Sequence, residues 1–108
     1  MQWGDKVSSL ESKIKSKELD LFFKAILELK DIDECYMFFE DVATINEVKS
    51  LAQRLHVAKL LKYKKTYSEI AEITGASTAT ISRVNRCLNY GSDGYNLVLE
   101  RLKEEDID

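Results

Sequence analysis

One stretch of the chain carries residue types suited to meeting a polyanion. In Thr66–Leu88 (TYSEIAEITGASTATISRVNRCL), the residues Thr78, Ala79, Ser82, Arg83 and Arg86 fall on one face at helical spacing. Threonine and alanine methyl groups suit thymine methyls, and hydroxyls bond base edges directly or through water. Arginines reach phosphates or guanine edges. Lys62, Lys64 and Lys65 stand just upstream, and Ser68 and Ser77 begin the two helical segments of the stretch. Backbone amides at Tyr67 and Ser68 open the first segment, where a helix start attracts phosphate. The chemistry is that of double-stranded DNA, with lysines and arginines setting register and short side chains facing the bases.

Such a face needs a rigid support, and the same stretch supplies it. Ile70 and Ala71 belong on the inner side of a first short helix, where alanine allows a second helix to approach. Gly75, four residues after Ala71, permits the left-handed turn between them. Ser77 caps the second helix, and Ile81, Val84 and Leu88 form its buried stripe. Glycine, small residue and apolar stripe together keep helix-turn-helix spacing.

The remaining chain reads as helices around this unit. In 108 residues there is no proline and only four glycines, and no strand-like alternation persists. Ser16 caps an amphipathic helix, KELDLFFKAILELK. Its apolar residues Leu19, Phe22, Phe23, Ile26, Leu27 and Leu29 make a face too broad for one shallow contact, which a second chain would bury. Asp31 and Glu34 resemble a capping box before a short apolar helix through Cys35–Phe39. Thr44 with Glu47 opens the longest helix, with Val48, Leu51, Leu55, Ala58 and Leu61 as its expected inner stripe. Lys59, Lys62, Lys64 and Lys65 crowd its end, where cations suit both the helix dipole and phosphates. Thr66 with Glu69 opens the next helix. Asn89, Tyr90 and Gly91 stop the second motif helix, and Ser92 is expected to cap a last one containing Tyr95, Leu97, Val98, Leu99 and Leu102. Trp3, Val7, Leu10 and Ile14 give the first 15 residues a weak helical pattern, and the acidic EEDID tail is expected to be disordered. The expected organisation is one all-α domain. It has dimerisation helices over 1–40, a long central helix over 44–65, the helix-turn-helix over 66–88, a C-terminal helix over 92–105 and an acidic tail over 106–108.

Charge is sorted along the chain. The total is −3, but residues 1–53 carry −4, residues 54–88 carry +5 and residues 89–108 carry −4. A basic centre between acidic ends suits a localised phosphate-binding face. The acidic ends and the net charge of −3 favour instead the alternative function, a protein-interaction module that keeps the helix-turn-helix without binding DNA. No signal peptide or long apolar run is present, so a soluble cytoplasmic protein is expected. Cys35 and Cys87 read as buried reduced thiols without metal spacing. His56, the only histidine, has no partner at a persuasive catalytic spacing, and no glycine loop could cradle a phosphate. No enzyme, metal or bound cofactor is expected.

With these elements placed, Ala43–Leu88 resembles the Trp repressor, and more closely the YerC/YecD-type Trp-repressor-like proteins. The resemblance rests on Thr44 and Glu47, on Leu51 and Arg54, and on ATISR at Ala79–Arg83. It implies an intertwined all-helical homodimer acting as a transcriptional regulator, and as a repressor, with two helix-turn-helix units on a palindromic operator. It also implies a small-molecule effector site. Arg54 and Arg83 match the two arginines that sandwich the indole of a tryptophan corepressor, and Thr44, Val84 and Cys87 fall at the neighbouring positions. Here the chain departs from the family pattern. Asp41 and Ala43 replace apolar residues, Ile45 stands for a proline, Val84 for a glycine and Cys87 for a serine. Val84 would crowd a flat ring, so tryptophan or another small effector stays open.

Overall fold

Six helices and no strand run through residues 14–102, which the structure, a computed structural model, describes. They are α1 (Lys17–Leu27), α2 (Ile32–Val42), α3 (Ile45–Lys62), α4 (Tyr67–Thr74), α5 (Thr78–Tyr90) and α6 (Gly94–Arg101). The all-α expectation holds. The pattern at Trp3, Val7 and Leu10 and the acidic tail lie outside the described residues. Among the described residues no helix is long and apolar enough to cross a membrane. The chain divides into two compact units, Met1–Ile45 and Asn46–Asp108.

The first unit is held by local signals and aromatic rings. Ser16 caps α1 by accepting from the Leu19 amide at 3.1 Å, as expected. Asp31 caps α2 by accepting from the Glu34 amide at 2.9 Å. The reciprocal arm is displaced, because the Glu34 carboxylate accepts from the Lys30 amide rather than from the cap residue. Phe22 of α1 meets Phe38 and Phe39 of α2 with ring centroids 5.9 and 6.4 Å apart. Even so, neither helix contains a buried residue. Leu27, Ile32, Tyr36 and Met37 are each more than two-thirds exposed, a large apolar area for one chain to leave in water. Cys35 is exposed with them, and Cys87 is exposed on α5, so the expectation of buried thiols is corrected.

The second unit has the core. Val57, Ala58 and Leu60 of α3 pack with Ile70 of α4, Ala76 of the turn, Ile81 and Val84 of α5 and Leu99 of α6. The expected inner stripe of α3 is right only at its C-terminal end. Ala58 is fully buried and Leu55 and Leu61 pack against the core, but Leu51 is half exposed and Val48 is only partly covered. Val57 and Leu60, absent from the expected stripe, are buried because three later helices enclose the end of α3.

Helix boundaries also shift. The long helix ends at Lys62 rather than 65, because Lys64 adopts a left-handed conformation with φ 65°. Its amide donates to Leu61 O and that of Lys65 to Leu60 O, a Schellman closure. The last helix begins at Gly94, with left-handed Asp93 rather than Ser92 at its N-cap. It ends at Arg101, short of the expected residue 105.

Candidate nucleic-acid interface

The helix-turn-helix is built by short-range bonds that the local sequence encodes. Thr66 and Glu69 form a reciprocal capping box at the start of α4: the Thr66 amide donates to the Glu69 carboxylate at 2.8 Å, and the Glu69 amide to the Thr66 hydroxyl at 3.1 Å. The bond from the Thr66 amide, then that to its side chain, then the nearby Lys65 charge hold the Glu69 carboxyl below the usual carboxylate range. At the other end Gly75 takes φ 75° and its amide closes on Ala71 O. Nothing lies within 4 Å of where a Cβ at Gly75 would stand, so backbone conformation alone requires glycine there.

Thr74 ties this turn together. Its hydroxyl donates to Ile70 O at 2.7 Å and accepts from the Ala76 amide at 3.1 Å. Its carbonyl accepts from Gln53 Nε2 of α3 at 3.1 Å. The roles of Thr74 and Gln53 are absent from the sequence reading. Thr74 has a local signal, a hydroxyl four residues after Ile70 and just before a glycine. The Gln53 partner is 21 residues away and has none.

Ser77 then caps α5, accepting from the Thr80 amide and donating to the Thr80 hydroxyl, both at 3.1 Å. Ile81 and Val84 are 0% and 1% exposed, so this face of α5 is locked onto the core. That orientation leaves Thr78, Ala79, Ser82, Arg83 and Arg86 exposed together. Lys62, Lys64, Lys65, Ser68 and Ser77 are exposed as well. Two of these side chains already have protein partners: Ser77 in the cap, and Lys62, whose Nζ donates to Asn96 Oδ1 at 2.9 Å. Asn96 in turn donates to Leu88 O at 3.1 Å, linking the ends of α3, α5 and α6. At Gly91 a Cβ would stand 2.5 Å from Cys87 O, so the exit from α5 admits no side chain without movement.

The residues matched to an effector site are distributed differently. Thr44 belongs to the first unit and Arg54, Arg83, Val84 and Cys87 to the second. Arg54 is half-buried, with Nε donating to Ser50 O one turn earlier at 3.5 Å. Arg83 and Cys87 share the exposed face of α5, one turn apart, whereas Val84 is a core residue. His56 is half-buried in α3. No group of three or more metal-ligating side chains gathers among the described residues.

Known proteins share this arrangement. The family profile described as Trp repressor protein matches residues 17–103. Uncharacterized protein YerC of Bacillus subtilis (strain 168) is 58% identical over 96 residues, covering 89% of this chain and 92% of that protein. A TrpR-like protein from Eubacterium eligens ATCC 27750 superposes with a TM-score of 0.80 at 64% identity, covering 82% of this chain and 92% of the other. A proposed Trp repressor from Staphylococcus aureus gives a TM-score of 0.82 at 48% identity, covering 93% and 98%. The match spans both units, the arginine-bearing helices and the capped turn between them, and the chain belongs to the Trp repressor family.

Proposed function

We propose that this protein is a dimeric, sequence-specific DNA-binding regulator that represses transcription from a palindromic operator. The observation that carries the reading is the two-sided α5. Ile81 and Val84 are sealed in the core while Thr78, Ala79, Ser82, Arg83 and Arg86 face outward. In this reading α5 enters the major groove with its small residues toward the bases. Lys62, Lys64 and Lys65 with Arg83 or Arg86 neutralise phosphates, and the Tyr67 and Ser68 amides meet another at the start of α4. The exposed apolar residues of α1 and α2 support burial against a second copy. A twofold dimer would set its reading helices ~34 Å apart, one DNA turn.

Selection from random duplex pools at two salt concentrations tests the reading. Enrichment of a palindromic sequence that is lost when Ser82 and Arg83 become alanine is the expected result. No enrichment, or enrichment indifferent to those changes, refutes it. We assign small-molecule control to the Arg54 and Arg83 region, with Thr44, Val84 and Cys87 at the neighbouring positions. Val84 fills the core, which favours an effector other than a flat ring seated beside it. Titration calorimetry with tryptophan separates the cases: heat with tighter operator binding supports a tryptophan corepressor, and no heat removes it without touching the DNA reading.

A further inference from the structure

An open-sided cavity of about 270 Å³ lies between the end of α3 and α6, lined by Lys59, Lys62, Tyr63, Leu99 and Glu100. None of these residues belongs to α5, and Lys59 and Lys62 are shared with the lysine group at the end of α3. Its volume falls just below the roughly 300–1,000 Å³ of pockets that enclose small ligands. It suits one anchoring apolar side chain better than a metabolite. The lining carries two lysines, both already engaged within the chain, and one carboxylate, a formal excess of one positive charge around the surfaces of Tyr63 and Leu99. An occupant should therefore be an aliphatic residue flanked by acids.

The chain itself contains such a segment. Residues 104–108, EEDID, place Ile107 between Asp106 and Asp108. We propose that the C-terminal segment docks in this cavity, with Ile107 on the Tyr63 and Leu99 surface and the flanking aspartates at the lysine rim. Reach is sufficient. Five residues separate Leu102 from Ile107, up to about 17 Å of extended chain, against about 5 Å of helix between Leu99 and Leu102. Glu100 weakens purely electrostatic attraction, so the isoleucine is the anchor and the aspartates select the edge. Lys62 keeps its bond to Asn96 in this arrangement, since an ammonium has three donors and can also meet a carboxylate. Docking covers Lys62 and brings four carboxylates to the lysine-bearing end of α3. If the DNA reading holds, on which this consequence alone rests, the tail masks phosphate contacts and lowers non-specific affinity.

Amide spectra of the isotope-labelled full chain, of Ile107→Ser and of Asp106→Asn/Asp108→Asn test the docking without DNA. Shifts at Lys59, Lys62 and Tyr63, more than 40 residues away in sequence, are expected in both variants. Changes confined to residues near the substitutions overturn the proposal. Labelled Ile107→Ser chains mixed with excess unlabelled full chain distinguish the two possible sources of the segment. Altered shifts that persist support a chain's own tail, and recovery of the original shifts overturns it in favour of a partner's. Tighter binding of random duplex by Ile107→Ser supports the masking role, and unchanged affinity overturns that role. A chain without DNA affinity refutes the function proposed above and leaves the spectral test in force.

Discussion

Lys64 is the residue where local stability and charge pull in different directions. It sits at φ 65°, a conformation glycine takes without penalty and a lysine does not. Replacing it with glycine should therefore raise stability by about 1 kcal/mol, or roughly 4–8 °C in a domain of this size. If Lys64 contacts phosphate, the same change should reduce the salt slope of DNA binding by about 1. Thermal denaturation and binding at several salt concentrations read the two effects, and a stability loss would show that the turn prefers lysine for another reason. Glu69 makes a second, pH-dependent prediction. Its carboxyl titrates below the usual range when folded, so the capping box stabilises above the unfolded value. That contribution disappears as pH falls through the lowered folded value. Glu69→Gln should flatten the acid limb of Tm against pH. An unaltered acid limb would mean that other carboxylates dominate it.

At the scale of elements, the orientation of α5 is decided by two buried side chains and one turn. Ile81→Ala should cost about 2–5 kcal/mol, the usual range for truncating a fully buried aliphatic. Gly75→Ala should cost about 1–2 kcal/mol from backbone strain alone, because no atom obstructs the new methyl. Chemical denaturation measures both, and a neutral Gly75→Ala would show that the turn relaxes to an ordinary conformation. Ser82→Ala, exposed on the opposite face, should leave stability within about 0.5 kcal/mol. The capping box, Gly75 and the α5 stripe were all legible in the sequence because each depends on neighbours within four residues. Gln53 to Thr74 and Lys62 to Asn96 were not, since those partners meet only after helices pack.

For the whole molecule, the decisive fact is the lack of any buried residue in α1 and α2. Isolated short helices are marginal in water, and the phenylalanine contacts give them a partial core. We expect sedimentation to find a dimer. Leu27→Glu, at a position 81% exposed in a single chain, should shift the equilibrium toward monomer and weaken operator binding with it. Monomeric wild-type protein, or a dimer indifferent to Leu27→Glu, would remove the N-terminal helices from the interface.

By itself the sequence determined the all-helical class, the family resemblance, the caps at Ser16, Asp31, Thr66 and Ser77, and the inward turn of Ile81 and Val84 on α5. Helical periodicity and capping are short-range properties, so residue order is enough to state them. Tertiary structure decided where the long helix ends, why Val57 and Leu60 are core while Leu51 is not, and that both cysteines are exposed. It also placed Asp93 rather than Ser92 at the start of α6 and brought Asn96 between three helix ends. An apolar residue on a helix says only that it wants to be covered. Which neighbour covers it, and whether one chain suffices, is settled by packing between segments far apart in sequence.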